Sequence, residues 1–171
     1  MAHDRRDAVW TAGLNRRQLL GGGAALFLSG HASRAAGHSL LTIASDSGEM
    51  VLDRADLEAL PQQNFDTSTI WTSGQMTFSG PPLRSVLATA GIATGRVELI
   101  AANDYRVGID LADLGAEVPI LATRIDGSPF SRREKGPLWL VYPYDADPAF
   151  RSEAIYARSI WQIVRIEVFP G

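Results

Sequence analysis

The 171-residue chain contains no cysteine, only three histidines and a single lysine. Without cysteine there is no thiolate nucleophile, no disulfide and no sulfur-rich metal site, so any domain here is held together by packing. The histidines are His3, His31 and His38, all near the start of the chain. Their placement removes imidazole acid–base catalysis, Ser-His-Asp triads and Cys/His zinc sites from everything downstream. Long apolar runs are missing too. The uncharged stretch from Gly21 to Gly30 spans ten residues, and a transmembrane helix needs about 20. Carboxylates, arginines, tyrosines and Lys135 remain for chemistry.

Ahead of that uncharged stretch, Asn15-Arg16-Arg17-Gln18-Leu19-Leu20 has the pattern of a twin-arginine export signal. A basic region (Arg5, Arg6, Arg16, Arg17), a mildly apolar one (Ala24 to Leu28) and small residues around Ser33 to Ala36 complete it. Gly21, Gly22 and Gly23 weaken the apolar region, which suits this route better than the general one. The same residues also read as an ordinary secretory signal, a short amphipathic helix or an uncleaved anchor. The expectation is a signal peptide over residues 1–36 and one periplasmic domain over 37–171, long enough for a single core. Residues 37–171 carry 11 basic and 17 acidic residues, net −6. That balance argues against nucleic acid or anionic lipid as the main partner.

Periodicity assigns the elements. Leu40 to Ala44 and Met50 to Leu52 read as strands, and Asp53 caps a helix running to about Leu60, ended by Pro61. Asn64 to Trp71 alternates with a period of two and reads as a strand. Pro81-Pro82 opens a helix with Leu83, Val86, Leu87 and Ala90 at i, i+3, i+4 and i+7, and Gly91 closes it. Val97 to Ala101 and Tyr105 to Ile109 flank Asn103-Asp104 as a hairpin, and Asp126-Gly127 marks a second turn. Leu111 to Leu114 reads as a helical turn. Pro119 to Ala122, Leu138 to Tyr142 and Val164 to Val168 read as further strands. Asp145 to Tyr156, interrupted by Pro148, reads as a loop with a helical turn. The class is α+β, a mostly β core of mixed strands with two or three short helices.

Five pieces in order, Gly80-Pro81-Pro82-Leu83-Arg84-Ser85-Val86-Leu87, Ala102-Asn103-Asp104-Tyr105, Ile120-Leu121-Ala122 with Asp126-Gly127, Lys135-Gly136-Pro137-Leu138-Trp139, and Trp161-Gln162 before Ile166-Glu167-Val168, carry a family resemblance. Together they resemble the oxidoreductase molybdopterin-binding domain, the fold of sulfite oxidase and its bacterial relatives, over about residues 40–169. The resemblance implies molybdopterin as cofactor, its phosphate gripped by backbone amides and basic side chains. It also implies a metal-binding cysteine on the loop before the Gly-Pro-x-Leu helix. Here that stretch is Asp66-Thr67-Ser68-Thr69-Ile70-Trp71. A hydroxyl at Ser68 or Thr69 is a hard donor and does not replace a soft thiolate for molybdenum.

Three clusters compete as sites. Arg132-Arg133-Glu134-Lys135-Gly136-Pro137 is the densest basic run of the domain and suits a phosphate or other oxyanion. It also reads as a solvated loop whose charges pair locally. Asn103, Asp104 and Tyr105 offer an acceptor and a phenol to the same cleft, or a plain turn beside a core tyrosine. Tyr142 to Asp147 holds two aromatics, Tyr142 and Tyr144, with Asp145 and Asp147. Those acids suit acid–base work, a hard cation such as calcium, or a solvated loop. Trp71, Trp139 and Trp161 either pack the core or roof the cleft. The cofactor-site expectation is therefore Asn103, Asp104, Tyr105, Arg132, Arg133, Lys135 and Tyr144, with no catalytic or metal-ligating residue assigned. The functional expectation is an exported ligand-binding or sensing module for an anionic or pterin-like small ligand, with a membrane signalling or redox protein as partner. The alternative is a periplasmic molybdopterin-dependent oxidoreductase subunit.

Overall fold

The computed structural model describes residues 38–169. The expected signal segment lies outside the described residues. Strands β1 (Leu41–Ser45) and β2 (Gly48–Leu52) form a hairpin, followed by α1 (Arg54–Glu58), β3 (Gln63–Ser68), β4 (Gln75–Gly80) and α2 (Leu83–Thr89). Then come β5 (Arg96–Ala101), β6 (Arg106–Asp110), β7 (Ile120–Ala122), β8 (Arg124–Ile125), β9 (Ser128–Pro129), β10 (Trp139–Val141), α3 (Glu153–Arg158) and β11 (Ile163–Phe169). Short 3-10 turns cover Leu111–Asp113, Arg132–Glu134 and Pro148–Arg151. No helix among the described residues is long and apolar enough to cross a membrane.

The five-stranded sheet runs β2-β1-β11-β5-β6, with β1 parallel to β11 and the other pairs antiparallel. Its inner face buries Leu41, Ile43, Val97, Leu99, Ile163 and Ile166. A four-stranded sheet, β3-β4-β8-β9, and the pair β10-β7 make up the rest. The mixed α+β class read from the sequence is the observed one.

Seven residues are too few for a helix to stand alone in water. Helix α2 exists because Leu83, Val86 and Leu87 are all fully buried, each worth about 1.5–3 kcal/mol of transfer free energy. Its start is fixed by the neighbouring strand. Leu121 donates its N–H to the Pro81 carbonyl at 2.8 Å and Leu83 donates to that of Pro119 at 2.9 Å. A Cβ on Gly80 would overlap the Leu121 carbonyl, so only glycine lets the two backbones approach. Arg84 then spans to the next layer, donating to the carbonyls of Leu111 and Leu114 at 2.6 and 2.8 Å. At α1, Asp53 and Asp56 exchange backbone N–H bonds at 2.9 Å in a capping box.

Two expectations change, and one strand appears that the sequence reading did not contain. The strand read over Asn64 to Trp71 ends at Ser68, and the chain then turns so that Trp71 leaves the sheet. Strand β4 had no sequence reading at all; only Phe78 and Gly80 within it are buried, and it is defined by pairing with β3 and β8. The segment read as a loop with a helical turn from Asp145 to Tyr156 does hold a 3-10 turn, but it also starts a second helix, α3, and each begins at a side-chain cap, Asp147 and Ser152.

Candidate functional site

Trp71 is the hub of an aromatic cluster. Its ring lies 5.9 Å from that of Trp139, 5.6 Å from Trp161, 5.7 Å from Tyr156 and 6.4 Å from Tyr144, all edge-on. Trp139 is the buried floor, and its indole N–H donates to the Ser159 carbonyl at 3.2 Å. Trp71, Tyr156 and Trp161 are half-buried and, with Asn103, Tyr105, Ala101 and Ile160, line a cleft of about 390 Å3. The sequence left the tryptophans open between core and cleft; Trp139 is core, and the other two are cleft wall.

Lys135 lies behind this wall. Its ammonium sits 5.6 Å from the Trp139 ring centre and 5.8 Å from that of Trp161, and it donates to the Trp71 carbonyl at 3.4 Å. No carboxylate among the described residues pairs with it, nor with Arg132 or Arg133 on the exposed turn beside it. Glu134, the acid within the run, is occupied as a cap. Its Oε2 accepts from the Ser131 N–H and hydroxyl at 3.0 Å each. That backbone bond first, then the hydroxyl, holds its carboxyl below the usual range.

Gln162 ties the pieces together, and sequence reasoning did not count it among the site residues. Its Nε2 donates to the Arg132 carbonyl at 2.8 Å, its N–H to the Lys135 carbonyl at 3.2 Å, and its own carbonyl accepts from Ala102 at 2.9 Å. Gln162 (φ 55°) and Lys135 (φ 72°) both hold left-handed backbone, which costs a residue with a side chain on the order of 1 kcal/mol or more. Among the described residues the other two such non-glycine residues are Asp104 and Asp126, both in tight turns. Aspartate in a turn takes this backbone readily, so the strain that stands out is that of Gln162 and Lys135.

The predicted residues thus divide. Asn103 and Tyr105 line the aromatic cleft, and Asp104 is the exposed turn residue between them, with its N–H donating to the Ala101 carbonyl at 3.0 Å. Lys135 lines a second cleft. Arg132 and Arg133 line neither cleft and face solvent. Tyr144 is corrected to the core: it is 1% exposed, its hydroxyl donates to Ser159 Oγ at 2.6 Å, and burial pushes its phenol well up. Asp145 accepts from the Ser68 N–H at 2.6 Å, from the Ser68 hydroxyl at 2.8 Å and from Arg151 at 2.8 Å. The Ser68 N–H, more than the hydroxyl or Arg151, holds that carboxyl below its ordinary range. Asp147 is taken up capping Ala149. No group of three His, Asp or Glu able to hold a metal exists among the described residues.

The family model for the oxidoreductase molybdopterin binding domain matches residues 47–146, and the chain belongs to that family. The matched stretch stops short of Tyr156, Trp161 and Gln162. No curated protein matches the chain.

Molybdopterin, which the family binds, can be tested against this donor set. The aromatic walls with Asn103 fit a flat heterocycle, and the Lys135 ammonium behind that wall supplies a positive charge for an anionic group, while Arg132 and Arg133 stay outside the cleft. A protein ligand to molybdenum does not fit. There is no thiol, and the Ser68 hydroxyl at the corresponding stretch, hydrogen-bonded to Asp145, is a hard oxygen donor. The residues hold a ring and a charge but supply no soft anion to a metal.

Proposed function

We propose that this protein is a ligand-binding or sensing module, carried to the periplasm by a twin-arginine signal, whose aromatic cleft takes a flat, anionic, pterin-like ligand without a metal–thiolate bond. The observation that carries the reading is the wall of Trp71, Tyr105, Tyr156 and Trp161 backed by an ammonium with no carboxylate partner among the described residues. An uncompensated cation at a low-dielectric wall favours a planar anion over a neutral ring of the same shape. Export is supported by Arg16-Arg17 and the small-residue run that follows. A membrane signalling or redox protein is the proposed partner, supported by Ile70 and Tyr105, which expose 63% and 54% of their surface next to the cleft wall. Family membership favours a second reading, a molybdopterin-dependent oxidoreductase subunit acting in the same compartment.

Calorimetric titration with pterin-6-carboxylate and with unsubstituted pterin tests the first reading. The carboxylate binds more tightly, and Tyr105→Ala, which removes one exposed wall, weakens it by about 2- to 10-fold, the worth of one aromatic contact. Equal affinity for the two pterins, or none for either, contradicts it.

A further inference from the structure

The second cleft, about 510 Å3, lies on the other side of Lys135 and goes beyond the aromatic site. Its volume falls within the range of small-molecule sites. Met76, Ile125, Pro129 and Phe130 give it an apolar lining. Thr72, Ser73 and Ser128 contribute hydroxyls, and three charged residues complete it: Lys135, Asp126 and Glu134.

The bonding state of those charges is what selects a ligand. Asp126 Oδ1 accepts from the Thr77 N–H at 2.9 Å, and Glu134 Oε2 accepts from Ser131. Asp126 Oδ2 and Glu134 Oε1 take no hydrogen bond from any described residue, and Lys135 gives its ammonium to a carbonyl rather than to an acid. Each carboxylate is therefore fixed in place by one oxygen while the other keeps its acceptor capacity. A simple anion meets two carboxylates here, and a simple cation meets Lys135. A molecule carrying both charges on an apolar body matches all three.

We propose that this cleft binds a zwitterion with apolar side chains, of the chemical class of free apolar amino acids and short apolar peptides. The ligand carboxylate pairs with Lys135, the ligand ammonium with Asp126 and Glu134, and the side chains lie on Met76, Ile125 and Phe130. Because the Lys135 ammonium rests on the Trp139 and Trp161 rings, pairing it with a ligand also changes the charge behind the aromatic cleft, which links the two sites.

Calorimetry on the intact protein with leucyl-leucine, its N-acetyl form and its C-terminal amide tests this. The zwitterion binds, and each blocked form binds at least about tenfold more weakly, as expected when a charge-assisted bond is lost. Lys135→Gln erases the preference for leucyl-leucine over its amide. Asp126→Asn, which keeps the turn and the Thr77 bond, weakens binding of the zwitterion and not of the N-acetyl form. Tyr105→Ala, a wall of the other cleft, leaves all three unchanged. Absence of saturable binding by leucyl-leucine to the unmodified protein, or equal affinity for all three compounds, overturns the proposal, and neither result depends on any variant folding.

Discussion

The solvent face of the five-stranded sheet and the loop cluster around Lys135 treat charge in opposite ways. On the sheet, Arg106 reaches Glu98 at 2.8 Å and Glu167 at 3.2 Å, and Arg165 reaches Glu49 at 2.8 Å and Glu167 at 3.3 Å, so neighbouring strands share a ladder of alternating sign. Side-chain bonds to Glu98 and to Glu49, respectively, hold these two arginines even more firmly protonated than usual. In the loop cluster, Arg132, Arg133 and Lys135 have no acid partner among the described residues, and the acid between them is spent on a cap. A surface whose charges are mutually satisfied gains little from a ligand. Cations left without acid partners gain more from one, which is the reason the proposed binding lies in the loops rather than on the sheet.

The largest test of that division is Trp139→Ala. This indole is fully buried under the cation site, and its loss destabilises the fold by about 3–5 kcal/mol in urea unfolding. If the loop region were merely a solvated appendage to the sheet, the change would be small. A middle-sized effect comes from alkali. Burial pushes the Tyr142 phenol up from its ordinary 10.0 to about 12, against the lowering influence of Arg158. In that window the unfolded chain ionises first and the native state holds the extra proton. Stability is therefore full below about pH 10 and falls as pH rises toward 12. Thermal unfolding stepped across that window shows the loss; Tyr142→Phe removes its share, and the buried Tyr144 phenol, also pushed up, keeps the rest. The smallest effects on stability separate the two kinds of charge. Lys135→Gln removes two cation–π contacts worth about 0.5–2 kcal/mol and changes ligand binding. Arg106→Gln shifts the unfolding midpoint less and leaves binding untouched.

Helix α2 was legible because Pro81-Pro82 and the spacing of Leu83, Val86 and Leu87 are local signals. The β5–β6 hairpin was legible for the same reason, through Asn103-Asp104. Strand β4 was not, since only Phe78 and Gly80 of its residues are buried, so no alternation shows, and one of its edges is set by a distant partner, Phe78 to Ile125. The basic run and the Asn103 turn read as one site, but Asn103 and Tyr105 line the aromatic cleft, Lys135 lines a second one and Arg132 and Arg133 line neither, a division that no periodicity records. Tyr156 escaped because α3 has six residues, too few to show a period, and Tyr144 was misplaced because a tyrosine flanked by Pro143 and Asp145 reads as exposed. A hydroxyl partner in Ser159 lets it be buried instead.

The most direct measurement of the central claim is native mass spectrometry of the untagged, intact protein, with molybdenum quantified in the same sample. The account predicts a folded domain that carries no stoichiometric molybdenum and takes up pterin-6-carboxylate one to one. One tightly held molybdenum atom per polypeptide, in a sample that turns over an oxo-transfer substrate, would contradict it.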